Sequence, residues 1–343
     1  MSVNRRITLA ARPVGHPQES DFALDEVDVG SPGAGEVLVR VLWASVDPYQ
    51  RGRMSEARSY APSLQLGDVI TAQSVGEVVE SNDPRFSPGD LVVGQLGWQE
   101  YATARAGTLR AVPDELDPQT LALHAVGMTG LTAYFGLFDV GEPRAGDTVV
   151  VSCAAGAVGQ IAGQLAKVAG CRAVGIAGGP EKARDLIELY GYDAAIDYKN
   201  DDVAEALRSE RVDVYFDNVG GEISQAVHRR LNLRARIVVC GQVSQYNAER
   251  PELSFHPGLL IMYRARMEGF LVFDYAHRYD EGVRKLAHWV ASGKIRWREH
   301  VTDGLDNAPR AFIGMLNGEN RGKALVKVAE RRAPRAARSS APS

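Results

Sequence analysis

The sequence predicts an α/β protein in which a doubly wound parallel sheet is joined to a second, β-rich domain. Two observations support this class. From about residue 145 onward, short apolar runs alternate with segments of helical periodicity, as in proteins whose parallel strands are connected by helices. Before about residue 120, strand-like runs are separated at short intervals by proline and glycine, which is typical of an irregular barrel-like domain.

The β-rich domain comes first in the chain. "GEVLVRVLWASV" and "VGEVVES" have strand character, and "FSPGDLVVGQLGWQEYATA" combines a turn with a further strand. Neither "MSVNRRITLAARPVGHP" at the start nor the most apolar window, "AVGMTGLTAYFGLF", has the apolar length of a signal peptide or a membrane helix. The net charge of −4 does not indicate nucleic acid or an anionic membrane as partner. We therefore expect a cytoplasmic protein that acts on a small molecule.

The second domain alternates strands and helices. "DTVVVSCA" predicts a fully buried first strand, and "VGQIAGQLAKVAG" predicts the helix after it. Further strands are predicted at "CRAVGIA", "AAIDYK", "VDVYFDNVGG", "ARIVVCG" and "RMEGFLVFDY", with helices at "EKARDLIELYG", "DVAEALRSE" and "ISQAVHRRLN". Such alternation favours right-handed crossovers and a parallel sheet that binds a nucleotide.

The end of the chain is predicted to return to the β-rich domain. After a long helix near 276–292, "GKIRWREHV" and "GKALVKVA" have strand character and frame a helix at about 306–317. The predicted domains are therefore 1–121 with 296–329 for the β-rich substrate domain, and 122–295 for the nucleotide domain. Residues 330–343, rich in Arg, Ala, Pro and Ser, are predicted to be a disordered tail.

A phosphate-binding turn is predicted directly after the first strand of the alternating domain. "AAGAVG" at 154–159 is a relaxed form of the GxGxxG pattern, with small residues that let the backbone approach a pyrophosphate at a helix start. On its own this pattern is weak, but its place in a βαβ series makes it specific. The predicted binding residues are Ala155, Gly156, Ala157, Val158 and Gly159.

The end of the second strand predicts which cofactor binds. In NAD-binding folds a carboxylate about 20 residues beyond the glycines accepts hydrogen bonds from the ribose hydroxyls. Here Gly178 lies 22 residues after Gly156, Gly179 follows it, and Lys182 stands near the start of the next helix. A cation there would stabilise a 2′-phosphate, so the sequence predicts NADPH. The alternative, a solvated Lys182 with Glu181 as the acidic partner, stays open at this level.

The cysteine and histidine positions predict that no metal is bound. The three cysteines are Cys153, Cys171 and Cys240, so the N-terminal part of the chain offers His16 and His124 but no thiol. A cysteine-containing catalytic zinc site cannot be built from those residues. The acceptor must then be activated in another way, for example as a C=C bond conjugated to a carbonyl.

Six motifs in order along the chain carry a resemblance to a known family. They are "SVDPYQR" (45–51), "VGMTGLTAYFGL" (126–137), "AAGAVGQ" (154–160), "YFDNVGG" (215–221), "CGQVSQYN" (240–247) and "NGENRGKALVKV" (317–328). The chain up to about residue 329 resembles the zinc-free medium-chain reductases of the prostaglandin reductase/leukotriene B4 12-hydroxydehydrogenase family, which includes alkenal and curcumin reductases. "VDPY", "FDNVGG" and "SQYN" are the most specific of these signals.

The resemblance implies a Rossmann domain beside a GroES-like barrel, a homodimer, and an NADP-dependent oxidoreductase acting on CH–CH groups. The reaction would be reduction of the C=C bond of a 2-alkenal or enone by NADPH. Besides the turn and Lys182, the resemblance implies cofactor contacts at Met128, Thr129, Gly179, Tyr198, Asn218, Cys240, Gly241, Gln242, Val243, Ser244, Gln245, Tyr246, Phe270, Leu271, Val272 and Asn320. The chain departs from the family pattern at Cys153, usually alanine, and at "GGPEK", which lacks the usual serine.

Two tyrosines are the candidate catalytic residues. Hydride transfer to the β-carbon of an enone develops negative charge on the carbonyl oxygen, which needs a hydrogen-bond donor. Tyr246, whose neutral phenol donates well at pH 7, is the first candidate for stabilising the enolate. Tyr49 is the second, with a role in shaping the pocket or holding the substrate. Each tyrosine could instead be an amphipathic core residue.

Two other functions stay open at the level of the sequence. One is an NADPH quinone oxidoreductase of a related zinc-free branch, from which the "SQYN" and "VDPY" signals differ. The other is an NADPH-binding protein without turnover. The physiological substrate and its chain length cannot be inferred from the residues.

Overall fold

The computed structural model describes residues 3–248 and 255–331. The predicted disordered tail lies outside these residues, apart from its first two positions. Strands are numbered in chain order: β1 (Val3–Leu9), β2 (Phe22–Asp28), β3 (Glu36–Ser45), β4 (Gln73–Ser81), β5 (Leu91–Gln95), β6 (Tyr101–Arg105), β7 (Arg110–Ala111), β8 (Thr148–Ser152), β9 (Arg172–Ala177), β10 (Ala194–Asp197), β11 (Val212–Asp217), β12 (Leu231–Val239), β13 (Arg266–Gly269), β14 (Glu299–Asp303) and β15 (Lys323–Lys327).

Helices are numbered in the same way. They are α1 (Tyr49–Arg53), α2 (Met128–Phe135), α3 (Gly159–Val168), α4 (Pro180–Glu188), α5 (Val203–Ala206), α6 (Gly221–His228), α7 (Gly258–Tyr263), α8 (Tyr279–Ala291) and α9 (Ala308–Leu316). Among the residues that the structure describes, no helix combines the length and the apolar character needed to cross a membrane.

The nucleotide domain is a six-stranded sheet in the order β10-β9-β8-β11-β12-β13, and every pairing in it is parallel. This is the doubly wound 3-2-1-4-5-6 order, in which the chain reverses direction across the sheet between β8 and β11. The predicted fold class is confirmed. The central strand β8 packs against α3 and α6, and its run "VVV" is fully buried, as in strands of a covered parallel sheet.

The β-rich domain contains a seven-stranded sheet in the order β14-β15-β3-β4-β5-β7, with β6 also paired to β3, and a separate β1-β2 hairpin. The late strand β15 pairs antiparallel with β3, with Leu325 opposite Ser45. Residues near the end of the chain therefore share a sheet with residues near its start. The predicted domain limits themselves stay a proposal.

Separate apolar cores stabilise the two domains. The core of the nucleotide domain includes Phe135, Leu165 and Phe216, each without exposed surface. In the β-rich domain Trp98 packs edge-on against Phe312 of α9, with ring centroids 5.9 Å apart. Burial of such aromatic side chains contributes much of the hydrophobic stabilisation, and α9 is thereby fixed to the barrel.

Two predicted elements are shorter than the sequence indicates. The apolar run "RMEGFLVFDY" predicts one continuous strand, but β13 ends at Gly269 and a 3-10 turn covers Val272–Arg278. The helix predicted over "DVAEALRSE" is the single turn α5. The strand prediction failed at 270–273 because these apolar side chains line a cavity at the end of the sheet. Their hydrophobicity therefore does not indicate a strand that is buried within the sheet.

Candidate active site

A cavity of about 530 Å³ lies where the carboxyl ends of the parallel strands meet the β-rich domain. From the sheet it is lined by the turns after β8, β11 and β12, and from the other domain by α1 and its neighbours. The end of β8 and β11 is the point at which strand order reverses, the usual ligand site in doubly wound sheets. The cavity is therefore placed to hold a dinucleotide and a second molecule.

The turn after β8 leaves no room for side chains at its glycines. A Cβ at Gly159 would come within 2.3 Å of the carbonyl oxygen of Cys153, so only glycine lets α3 begin this close to β8. Cys153 itself has φ of 49°, a left-handed conformation that reverses the chain into the turn. This cradle of backbone at the start of a ten-residue helix fits the pyrophosphate of a dinucleotide.

The polar end of the cavity carries a half-buried cation. Burial and the nearby cation of Lys199 lower the pKa of Lys182, although the Cys153 thiol opposes this. The Lys182 ammonium donates to the carbonyl oxygen of Gly318 at 2.6 Å and forms no ion pair with a carboxylate among the described residues. An anionic group beside it would supply the missing counter-charge.

The acids near this cation are engaged elsewhere. Glu181, the alternative partner left open by the sequence, forms an ion pair with Arg321 at 3.2 Å and does not line the cavity. Asp197 at the end of β10 accepts from the Gly179 amide at 2.6 Å. No free carboxylate of the described residues therefore faces the cavity at Lys182, which fits a 2′-phosphate better than a bare ribose.

Gly178 and Tyr198 explain why this strand end lacks a side chain. A Cβ at Gly178 would lie 2.8 Å from the ring and hydroxyl of Tyr198, so glycine is what allows the tyrosine to lie over the end of β9. Tyr198 is 43% exposed and lines the cavity with Lys182. The first glycine of "AGGPEK" therefore makes space for an aromatic side chain beside the cation, whereas the second, Gly179, has open space around it and a positive φ of 98°.

At the other end of the cavity lie the two candidate tyrosines. The Tyr246 hydroxyl accepts a long hydrogen bond of 3.4 Å from the Gln242 amide, which leaves its own proton free to donate. Burial raises the pKa of Tyr246 above its ordinary value, and the backbone amide of Gln242 only partly offsets this. The Tyr49 hydroxyl is buried without a hydrogen-bond partner among the described residues, and burial beside Asp47 raises its pKa strongly.

Beneath Tyr49 lies a buried ion pair. The Lys323 ammonium, which has no exposed surface, donates to Asp47 Oδ1 at 2.9 Å and to the Val46 carbonyl at 2.8 Å. Ser45 donates to the other Asp47 oxygen. The Lys323 contacts tie the start of α1 to β15 and the Ser45 contact ties it to β3, so Asp47 is a structural anchor of the cavity and both of its oxygens are engaged.

Most of the residues that the sequence and the resemblance indicated line this cavity. Those that do are Tyr49, Met128, Thr129, Ala155, Gly156, Ala157, Val158, Gly159, Lys182, Tyr198, Asn218, Cys240, Gly241, Val243, Ser244, Tyr246, Phe270, Leu271, Val272 and Asn320. Three that do not are Gly179, Gln242 and Gln245. The Gly179 amide donates to Asp197, and the Gln242 amide donates to the Tyr246 hydroxyl. Both residues therefore contact residues near the cavity without lining it themselves.

Sequence reasoning did not identify several lining residues of the β-rich domain, among them Arg53, Tyr60 and Gln95. The Arg53 Nε is buried and has no hydrogen-bond partner in the described part of the chain. The sequence could have indicated Arg53, because it lies on α1 only two residues after the motif "VDPYQR". Tyr60 stands in a loop and Gln95 at the end of β5, and neither belongs to a motif, so nothing in the sequence marked them.

No metal cluster is formed by the residues that the structure describes, since none of them make a group of three or more His, Cys, Asp or Glu side chains. His124 is fully buried; its Nδ1 lies 3.1 Å from the Thr129 hydroxyl, and burial lowers its pKa to about 3. The imidazole is therefore neutral and serves the packing of α2.

Fold and cavity together define a two-domain, nicotinamide-dinucleotide-dependent oxidoreductase. Family models match residues 5–112, "N-terminal domain of oxidoreductase", and 157–289, "Zinc-binding dehydrogenase". The chain is 45% identical to the NADPH-dependent curcumin reductase of Escherichia coli over 95% of this chain and 97% of that protein. It is 41% identical to the 2-alkenal reductase (NADP(+)-dependent) of Nicotiana tabacum over 95% of this chain and 97% of that protein.

A solved structure supports the same assignment. CurA from Vibrio vulnificus in complex with NADPH superposes with a TM-score of 0.91 at 43% identity, over 95% of this chain and 99% of that one. The chain belongs to the zinc-free medium-chain dehydrogenase/reductase family of curcumin, alkenal and prostaglandin reductases. The resemblance read from the six motifs is confirmed.

Proposed function

We propose that the protein is an NADPH-dependent, zinc-independent reductase of the C=C bond of α,β-unsaturated ketones and aldehydes. The observation that carries the proposal is one cavity with a cation, Lys182, that no described carboxylate pairs with at one end, and two tyrosines whose pKa burial raises at the other. The relatives with these activities match along nearly the whole chain. Their NADPH dependence agrees with the electrostatics of the Lys182 end.

Bound NADPH would supply the hydride that reduces the β-carbon of the substrate. The turn "AAGAVG" would hold the pyrophosphate, while Lys182 and Tyr198 would bind the 2′-phosphate. Tyr246 would donate a hydrogen bond to the carbonyl oxygen as the enolate forms, and the α-carbon would then take a proton from Tyr246 or from water. Tyr49 would orient the substrate from the β-rich side.

The direct test follows NADPH absorbance with a 2-alkenal, an aliphatic enone and a quinone in parallel, with identification of each product. We expect consumption with the first two and a saturated carbonyl product. An allylic alcohol would show carbonyl reduction instead, and turnover of the quinone alone would favour the quinone oxidoreductase alternative. If none of the three is consumed while NADPH still binds, the protein binds the cofactor without turnover.

We also propose that the protein is a cytoplasmic homodimer. All three cysteines are free thiols, which suits a reducing compartment. Strand β13 lies at the edge of the parallel sheet and pairs only with β12 among the described residues. Beside it, Ile261 and Met262 of α7 are 80% and 62% exposed. An unprotected edge strand next to exposed apolar side chains favours pairing with a second copy.

Replacement of Met262 by glutamate should convert the dimer to a monomer, because it places a charge in the apolar contact. Light scattering after size exclusion should give twice the chain mass of 37.1 kDa for the parent protein and that mass for the variant. Leu66→Glu, at a 60% exposed site of the β-rich domain, is the matched control and should stay dimeric. An unchanged mass for Met262→Glu would show that this face is not the interface.

A further inference from the structure

Two residues at the ends of separate motifs meet across the domains. Arg51 is the last residue of "SVDPYQR" and lies on α1, and Asn247 is the last of "SQYN" and follows Tyr246 directly. The Arg51 Nε donates to Asn247 Oδ1 at 3.2 Å, although 196 positions separate them in the chain. Nothing in the proposed chemistry uses either side chain.

The environment of Arg51 fixes its guanidinium firmly. It is only 7% exposed, and its Nη2 donates to the carbonyl oxygens of Pro13 at 3.1 Å and Gly15 at 2.9 Å. It forms no ion pair with a carboxylate of the described residues, and burial lowers its pKa. A buried cation without a counter-ion is costly unless its donors are satisfied, so these oxygen acceptors determine where the side chain lies.

Tyr246 itself, by contrast, is weakly anchored, although the turn before it is held to the nucleotide domain by the Ser244 hydroxyl, which donates to the Val219 carbonyl oxygen at 2.6 Å. The residues before it form a single 3-10 turn, Val243–Gln245, and the tyrosine amide bonds the Val243 carbonyl at a long 3.4 Å. The hydroxyl bond from Gln242 is equally long. Asn247 follows Tyr246 directly. Among the described residues, the bond from Arg51 to Asn247 is the one side-chain hydrogen bond that joins the Tyr246 segment to the β-rich domain.

The consequence concerns the two candidate tyrosines. Tyr49 stands on α1 two residues before Arg51, whereas Tyr246 comes from the nucleotide domain, so contacts across the domains contribute to their separation. We propose that Arg51 is a positioning residue, which holds Asn247 and thereby keeps Tyr246 facing the same cavity as Tyr49. The inference deepens the proposed enone reduction and rests on it.

Kinetics of Asn247 variants test the proposal. Asn247→Ala should lower kcat for an enone about tenfold, the effect of one lost hydrogen bond to a charged group, with KM for NADPH within about twofold. Asn247→Asp keeps an acceptor oxygen and adds an opposite charge, so it should retain kcat. Combined with Arg51→Met, the same aspartate would be a partly buried charge without its partner, and kcat should then fall below that of either single variant.

A double variant separates positioning from general damage. Arg51→Met with Asn247→Ala should lose no more kcat than the worse single variant, because both remove the same bond. Arg12→Met is the matched control: Arg12 donates to the Met54 carbonyl within one domain and should keep the parent kcat. Multiplying losses in the double variant, or a normal kcat for Asn247→Ala, would overturn the proposal.

Hydrogen–deuterium exchange provides a readout that needs no turnover. The amides of Val243, Ser244 and Gln245 are hydrogen bonded and should exchange faster in Asn247→Ala than in the parent protein or in Arg12→Met. Unchanged exchange would refute the positioning role whether or not the protein reduces an enone. Failure of this inference can therefore be told apart from failure of the proposed function. If Arg51→Met does not fold, the Asn247 variants carry the test alone.

Discussion

Replacement of Lys182 by alanine should raise the KM for NADPH about thirtyfold and leave the KM for NADH within about threefold. The ammonium is half-buried, lacks an ion pair with any described carboxylate, and lies in the cavity at the end of β9. A charge-assisted bond to a phosphate in such a place contributes roughly 2 kcal/mol, which corresponds to that factor. NADH offers no phosphate there and loses little.

The contacts around Lys182 sharpen this expectation. Its bond to the Gly318 carbonyl connects α4 to the loop before β15, so the cation already faces the cofactor end of the cavity. Glu181 is held by Arg321 and does not repel the phosphate. Steady-state kinetics with both cofactors make the measurement, and Lys167→Ala, a surface lysine paired with Asp193, is the control. Equal rises in both KM values would remove Lys182 from the phosphate site.

The sequence predicted the nucleotide domain well because its signals are local. The buried run at β8, the small residues of "AAGAVG" and the helix after them are each imposed by short-range packing, as the 2.3 Å approach at Gly159 shows. The same logic failed at 270–273, where apolar residues line the cavity at and just before the start of a 3-10 turn and do not continue β13. Hydrophobicity alone does not distinguish a sheet face from a pocket wall.

The substrate side of the site was harder to predict because it is assembled by distant contacts. Tyr60 enters the cavity from a loop of the β-rich domain and Gln95 from the end of β5, and the positions of both depend on the whole barrel. The Asp47–Lys323 pair joins residues 276 positions apart, and no spacing rule links them. Sequence patterns therefore indicated the cofactor half of the cavity, and the fold was needed to show which side chains complete it.

Replacement of Tyr246 by phenylalanine should lower kcat about a hundredfold with the KM for NADPH nearly unchanged. Loss of one donor to a developing oxyanion has an effect of about this size in other enzymes. The Tyr246 hydroxyl suits the role because it accepts from Gln242 and keeps its own proton available. Phenylalanine retains the ring and removes only the hydroxyl, so the cofactor site should keep its shape.

The pH dependence gives a second expectation for the same residue. Burial raises the pKa of Tyr246 above its ordinary value near 10, so the phenol stays protonated through neutral and mildly alkaline solution. In the parent protein kcat should therefore show no fall between pH 6 and 9 from ionisation of this group. Tyr101→Phe in β6, outside the cavity lining, is the control and should turn over normally. An unchanged kcat in Tyr246→Phe would show that Tyr246 is not the donor. Tyr49 would then be tested next, because the buried Tyr49 hydroxyl also has a proton to donate.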